Sequence, residues 1–154
     1  RMGLLLKHKD IDFHIYTTQL NIYDSFKAIA QLAQSPSITK IEYNNLIDTE
    51  EHCIEWHAWY IDKDNDLWQI DMIHILKGSR YDGYFEKVAD NICAALTPEK
   101  KLAILTLKNE TPDTEKIMGI EYYQAVIENG IDNYSDFIEW RKKHPANGIV
   151  NWIP

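Results

Sequence analysis

The sequence predicts an α+β fold: a small mixed, twisted sheet with an early helix, followed by a helical C-terminal half. Three observations lead there. Residues 10–17 (DIDFHIYT) alternate apolar and polar without a break, two β-patterned runs flank the polar segment Asp62-Lys63-Asp64-Asn65-Asp66, and beyond Leu76 the alternation gives way to helical spacing.

The first strand places Ile11, Phe13 and Ile15 on one face and Asp10, Asp12, His14 and Tyr16 on the other, the period of a half-buried strand whose apolar side goes to the core. Ile22, Phe26, Ile29, Ala30 and Ala33 then recur at helical spacing, which predicts a helix over 22–33 with Asp24 as its cap and Ser35-Pro36 as its stop. Residues 38–47, 53–61 and 67–76 read as three further strands. The last two pair antiparallel through the Asp62–Asp66 turn. Lys77-Gly78-Ser79-Arg80 ends the β pattern and sets a division into a sheet-forming region, 1–78, and a helical region, 79–154. Thr97-Pro98 and Thr111-Pro112 each read as an N-cap followed by proline at the first helical position, and Asn129-Gly130 as a helix stop. Helices are expected over 82–95, 98–108, 112–128 and 135–143. No internal repeat or low-complexity tract interrupts the pattern.

Composition narrows the function classes. A chain of 154 residues supports one domain, or one domain with a small appendage, and its 45% apolar and 26% charged content argues against disorder. No apolar run approaches the roughly 18 residues of a membrane helix. A net charge of −8 disfavours a general nucleic-acid binder. Cys53 and Cys93 are the only cysteines and lie far apart, which suits neither a disulfide framework nor a zinc ribbon and points to a reducing, cytoplasmic setting.

The polar face of the first strand carries the chemistry. Residues two apart on a strand lie roughly 6.6 Å apart on one face, so Asp10 and Asp12 lean over a common site where they can share cations. Asp71 is a lone carboxylate inside the apolar run LWQIDMIHI, where an unpaired charge is costly to bury. If its strand neighbours the first, three negative charges converge and require divalent cations, magnesium being the natural choice for hard oxygen donors. The bland alternatives are a solvated strand face for Asp10 and Asp12, and an ion pair with a nearby Lys or Arg for Asp71.

With those residues in view, the chain resembles the nucleotidyltransferase superfamily that shares the DNA polymerase β type of fold. The resemblance rests on Asp10-Ile11-Asp12 on a strand, a following helix, an intervening strand, and a later hairpin strand bearing Asp71. It covers about residues 1–76 and is closest in size to the minimal nucleotidyltransferases and the short bacterial enzymes that modify aminoglycosides or lincosamides. That family has a phosphate-binding Gly-Ser pair about ten residues before its first carboxylate, which here falls immediately before Arg1. Arg1-Met2-Gly3 resembles the continuation of such a turn.

The resemblance implies a two-metal magnesium site in which Asp10 and Asp12 coordinate ions bound to a nucleoside triphosphate such as ATP. Asp71 completes the metal site or acts as general base on the acceptor hydroxyl. A nucleoside monophosphate passes to a hydroxyl of a small-molecule acceptor, and pyrophosphate leaves. Neither nucleic acid nor membrane is an expected partner. Two rivals stand beside this reading: a non-catalytic binding or regulatory module of the same fold, and a structural α+β interaction domain whose acids are ion-paired.

Other residues weigh less. His14 shares the Asp10/Asp12 face and could touch a phosphate or the acceptor, although a hydrogen-bonded strand histidine explains it too. Arg1, Lys77 and Arg80 are candidate nucleotide contacts, and a charged surface loop explains the last two equally well. His52, Cys53 and His57 differ in strand parity, so a packed hairpin is preferred to a transition-metal site. Asp62, Asp64 and Asp66 resemble a calcium loop but have Leu67 and Ile73 where the glycine and the final acid belong. Trp56, Trp59, Tyr60 and Trp68 read first as a packing set, and the acids of the helical half as a solvated face.

Overall fold

The computed structural model describes residues 2–146 and 150–154. The chain is α+β and divides into two compact units, His8–Tyr84, and Phe85–Pro154 together with the residues up to Lys7. Residues 2–7, which the sequence reading grouped with the sheet, go with the helices for a local reason. Leu4 is buried, and Lys108 Nζ and Lys7 Nζ donate to the carbonyls of Leu4 and Thr111, each at 2.9 Å. No helix among the described residues is long and apolar enough to cross a membrane.

The first unit is a four-stranded mixed sheet in the order β1-β4-β3-β2: β1 (Lys9–Thr17), β2 (Ile38–Leu46), β3 (Cys53–Ile61) and β4 (Leu67–Leu76). β1 runs parallel to β4, and the other two ladders are antiparallel. The β3–β4 hairpin closes through Asp62. Its Oδ1 accepts from the backbone N–H groups of Asp64 and Asp66, both at 2.9 Å, and its Oδ2 accepts from Trp68 Nε1 at 2.9 Å. Asp62 thus acts as the anchor of the turn, and these bonds hold its carboxyl below the usual range.

A single short helix, α1 (Ile22–Ile29), follows β1. Its cap is Asn21, whose side chain accepts from Asp24 N at 3.1 Å, so Asp24 is the capped residue and not the cap expected from sequence. The helix stops before Ala33, and a 3-10 turn at Leu32–Gln34 covers the remaining apolar positions. α1 packs on the face carrying Ile54 and Trp56 of β3, joined by Ile41 and Tyr43 of β2 and Met72 of β4. Phe26, Tyr43 and Trp56 meet pairwise with ring centroids 4.7 Å apart. β1 differs from expectation here: Ile11, Phe13 and Ile15 are 41%, 50% and 40% exposed, because β1 is an edge strand and the eight-residue helix centres on β2 and β3.

The second unit contains α2 (Tyr84–Ala95) from Phe85 onward, α3 (Pro98–Glu110), α4 (Gly119–Asn129) and α5 (Tyr134–Lys143) around Ile104, Leu107, Ala125, Val126 and Phe137. Thr97 caps α3 as predicted, accepting from Lys100 N at 3.3 Å with Pro98 just inside. Gly130 ends α4 at φ 66°, the left-handed stop that glycine accommodates. Thr111-Pro112 does the reverse of what its pattern suggests. Thr111 closes α3, its hydroxyl donating to Leu107 O at 2.8 Å while accepting from Tyr122, and Pro112 prevents continuation. The next helix starts seven residues later than expected, at Gly119, with Glu121 accepting from Met118 N.

Candidate functional site

The ladders place one set of side chains on the sheet face opposite α1. Asp10 pairs with Gln69, and Asp12 with Asp71, which in turn pairs with His57 on β3. Register partners on adjacent strands point to the same side, about 4.8 Å apart, so the three predicted aspartates do share a face.

Asp71 is half-buried and hydrogen-bonded through both carboxylate oxygens. His57 Nδ1 lies 2.6 Å from its Oδ1, and Gln69 Nε2 reaches Oδ1 at 2.9 Å and Oδ2 at 3.1 Å. The far side of the His57 ring faces Glu55, with Nε2 3.6 Å from Oε2. Asn44 Nδ2 lies 3.4 Å from Nε2 and donates to Glu55 at 3.3 Å. No Lys or Arg pairs with Asp10, Asp12 or Asp71 among the described residues, which removes the cationic ion pair considered for Asp71. The Asp12 carboxyl is raised above the usual carboxylate range, first by partial burial and then by the charges of Asp10 and Asp71, with His14 acting in the opposite sense.

That convergence of charge suits a hard divalent cation. Asp10, Asp12 and Asp71 offer oxygen donors of the right kind, and the like-charge repulsion at Asp12, which His14 opposes, is of the sort that a cation would relieve. The three carboxylates nevertheless stand wider apart than the donors of Glu51, Cys53 and Glu55, which all lie within 4.8 Å of one another. This second group sits toward the other end of the same face. Its thiol is pushed up to about 12 by burial and by the charges of Glu55 and Glu51, so the thiolate that binds metals is disfavoured.

The remaining candidates separate. His14 follows Asp12 on the same face and pairs with Ile73. Lys77 and Arg80 lie beyond the C-terminal end of β4, with about 17 Å of strand between Asp71 and Leu76. Lys77 N donates to Thr17 O, and the Arg80 guanidinium sits 5.6 Å from the Tyr81 ring centroid. Arg1 lies outside the described residues. Of the aromatic set only Trp56 is core; Trp59 and Trp68 are half-buried under Lys40 and Lys9, with ammonium-to-centroid distances of 4.2 and 5.5 Å.

His57 is the residue that sequence reasoning undervalued. The signal was available: a turn leaving the hairpin at Ile61 and re-entering at Leu67 pairs 61 with 67, and four steps back along each strand pairs His57 with Asp71.

Compared with protein-family models, curated proteins and solved structures, the chain matches none.

Proposed function

We propose that the protein is a magnesium-dependent nucleotidyltransferase that moves a nucleoside monophosphate from a nucleoside triphosphate to a hydroxyl of a small-molecule acceptor. The observation that carries this reading is the pairing of Asp12 with Asp71 across the parallel β1–β4 ladder, with Asp10 on the same face. A carboxylate pair on the first strand and a third on its neighbour, reached through a helix and a hairpin, is the arrangement that the resemblance of the sequence implies.

In this reading Asp10, Asp12 and Asp71 hold magnesium, which when bound neutralises phosphate charge and stabilises the departing pyrophosphate. The acceptor oxygen bonds to the α-phosphorus as the bond from that phosphorus to the bridging oxygen of the leaving pyrophosphate breaks. The hydroxyl proton passes to solvent, and Asp71 Oδ2, whose one bond among the described residues is the 3.1 Å one from Gln69, is left to the metal. The protein's part is mainly to position the reactants and to hold charge ready for the transfer.

One observation favours a non-catalytic, nucleotide-binding member of the same fold. Lys77 and Arg80, the candidate phosphate contacts among the described residues, lie at the far end of β4 from Asp71. The two readings separate in one assay. Magnesium-dependent pyrophosphate release, screened over nucleotides and aminoglycoside-like acceptors, is expected from the wild type and lost in Asp10→Asn and Asp12→Asn with an unchanged circular dichroism spectrum. Turnover retained in either variant overturns the catalytic assignment.

A further inference from the structure

We propose that His57 is a positioning residue that, with Gln69, clamps Asp71 and presets its Oδ2 as a metal ligand; the inference rests on the transferase reading above. An ionised carboxylate only accepts hydrogen bonds, so the 2.6 Å contact requires the proton on His57 Nδ1. Asn44 Nδ2, a donor, faces Nε2 at 3.4 Å and suits the same neutral tautomer; in the imidazolium form Nε2–H faces Glu55 instead. Nδ1 carries a proton toward Asp71 in both forms of the ring.

The two donors divide the Asp71 oxygens unequally. Oδ1 receives His57 at 2.6 Å and Gln69 at 2.9 Å, whereas among the described residues Oδ2 receives only the longer 3.1 Å arm of the Gln69 fork. Oδ1 is committed and Oδ2 retains accepting capacity. Two donors on one carboxylate also fix its rotation, which a single bond leaves free. The other edge of His57 faces Asn44, which also donates to Glu55, so the chain of contacts extends from β2 through β3 to β4. Such supports behind a ligand orient it and tune its basicity, and their loss typically lowers metal affinity or activity about 10- to 100-fold.

The test is a Mn2+ titration read by electron paramagnetic resonance, run on wild type, His57→Phe, His57→Asn and Gln69→Met, with thermal melts in parallel. The expected result is Mn2+ affinity about 10- to 100-fold weaker in His57→Phe. His57→Asn should recover affinity because its amide nitrogen stands where Nδ1 stood, and Gln69→Met should weaken binding in a fully folded protein. A purely structural pair would lower the melting temperature of His57→Phe and leave its Mn2+ affinity at the wild-type level, which overturns the inference. A wild type that binds no Mn2+ overturns the transferase reading and the clamp together. Wild-type binding matched by His57→Phe overturns the clamp alone.

Discussion

Asp12 and Asp71 are register partners on parallel strands, and the charge of Asp71 is felt at Asp12. Asp12 bears the cost: burial, then Asp10 and Asp71, hold its carboxyl above the usual range. A carboxyl raised on folding favours the protonated form. Its contribution to stability is therefore greatest below the unfolded value of about 3.9 and is lost as pH rises through the folded value.

Asp12→Asn should therefore stabilise the metal-free protein at pH 7 while abolishing transfer. Asp12 is only partly buried and much of it stays open to solvent, so the gain is set at the scale of solvent-screened charge pairs, about 0.5–1 kcal/mol, or about 1–4 °C in melting temperature. Calorimetry at pH 7 and pH 3 checks the sign. The difference should shrink at pH 3, and saturating magnesium at pH 7 should reverse it by stabilising only the wild type.

The cysteines should differ sharply in reactivity. Cys53 is buried and its thiol is pushed up to about 12, whereas Cys93 is exposed on α2. Iodoacetamide at pH 8 followed by mass spectrometry should find Cys93 alkylated and Cys53 untouched until the protein is denatured. Equal labelling of both in the folded protein would contradict the burial of the β3 end of the sheet.

Ser25→Ala should destabilise the sheet unit out of proportion to the atom removed. Trp56 Nε1 donates to Ser25 Oγ at 2.7 Å, and both residues are buried. Removing the hydroxyl leaves an indole N–H without an acceptor, at about 1–3 kcal/mol. Trp56→Phe in the Ser25→Ala background removes that stranded donor and should recover part of the loss in urea titrations. Additive losses would show that the bond is not what couples α1 to β3.

The parts of this architecture that sequence exposed are those fixed by local chemistry. Alternation in DIDFHIYT, the polar turn after Ile61 and the caps at Thr97 and Gly130 each have a short-range cause, and each element formed where its pattern said. Thr111-Pro112 failed because the same dipeptide serves a helix end as well as a helix start, and the choice was made by Tyr122, eleven residues away, donating to the threonine hydroxyl. The exposure of Ile11, Phe13 and Ile15 was hidden for a similar reason. Alternation fixes which side chains share a face, and only strand order says whether that face meets a helix. At the candidate site the aspartates were legible as types and spacings, while the His57 and Gln69 support depended on the ladder joining β3 and β4.

Arg141 offers a test of the helical unit that owes nothing to the candidate site. Glu121 is buried inside α4, accepting from Met118 N at 2.9 Å through Oε2 and from Arg141 Nε at 2.8 Å through Oε1. Arg141 also reaches Glu115 at 3.5 Å. Arg141→Met keeps most of the aliphatic stem yet leaves a carboxylate in a dry environment with one backbone donor. The cost of an uncompensated buried charge places the loss at about 3 kcal/mol in urea unfolding followed by far-ultraviolet circular dichroism. Adding Glu121→Gln removes the stranded charge, and its amide oxygen can still accept from Met118 N, so the double variant should be more stable than Arg141→Met alone. If Glu121→Gln deepens the loss instead, Glu121 is supported by more than this ion pair, and the carboxylate itself is what the α4 start requires.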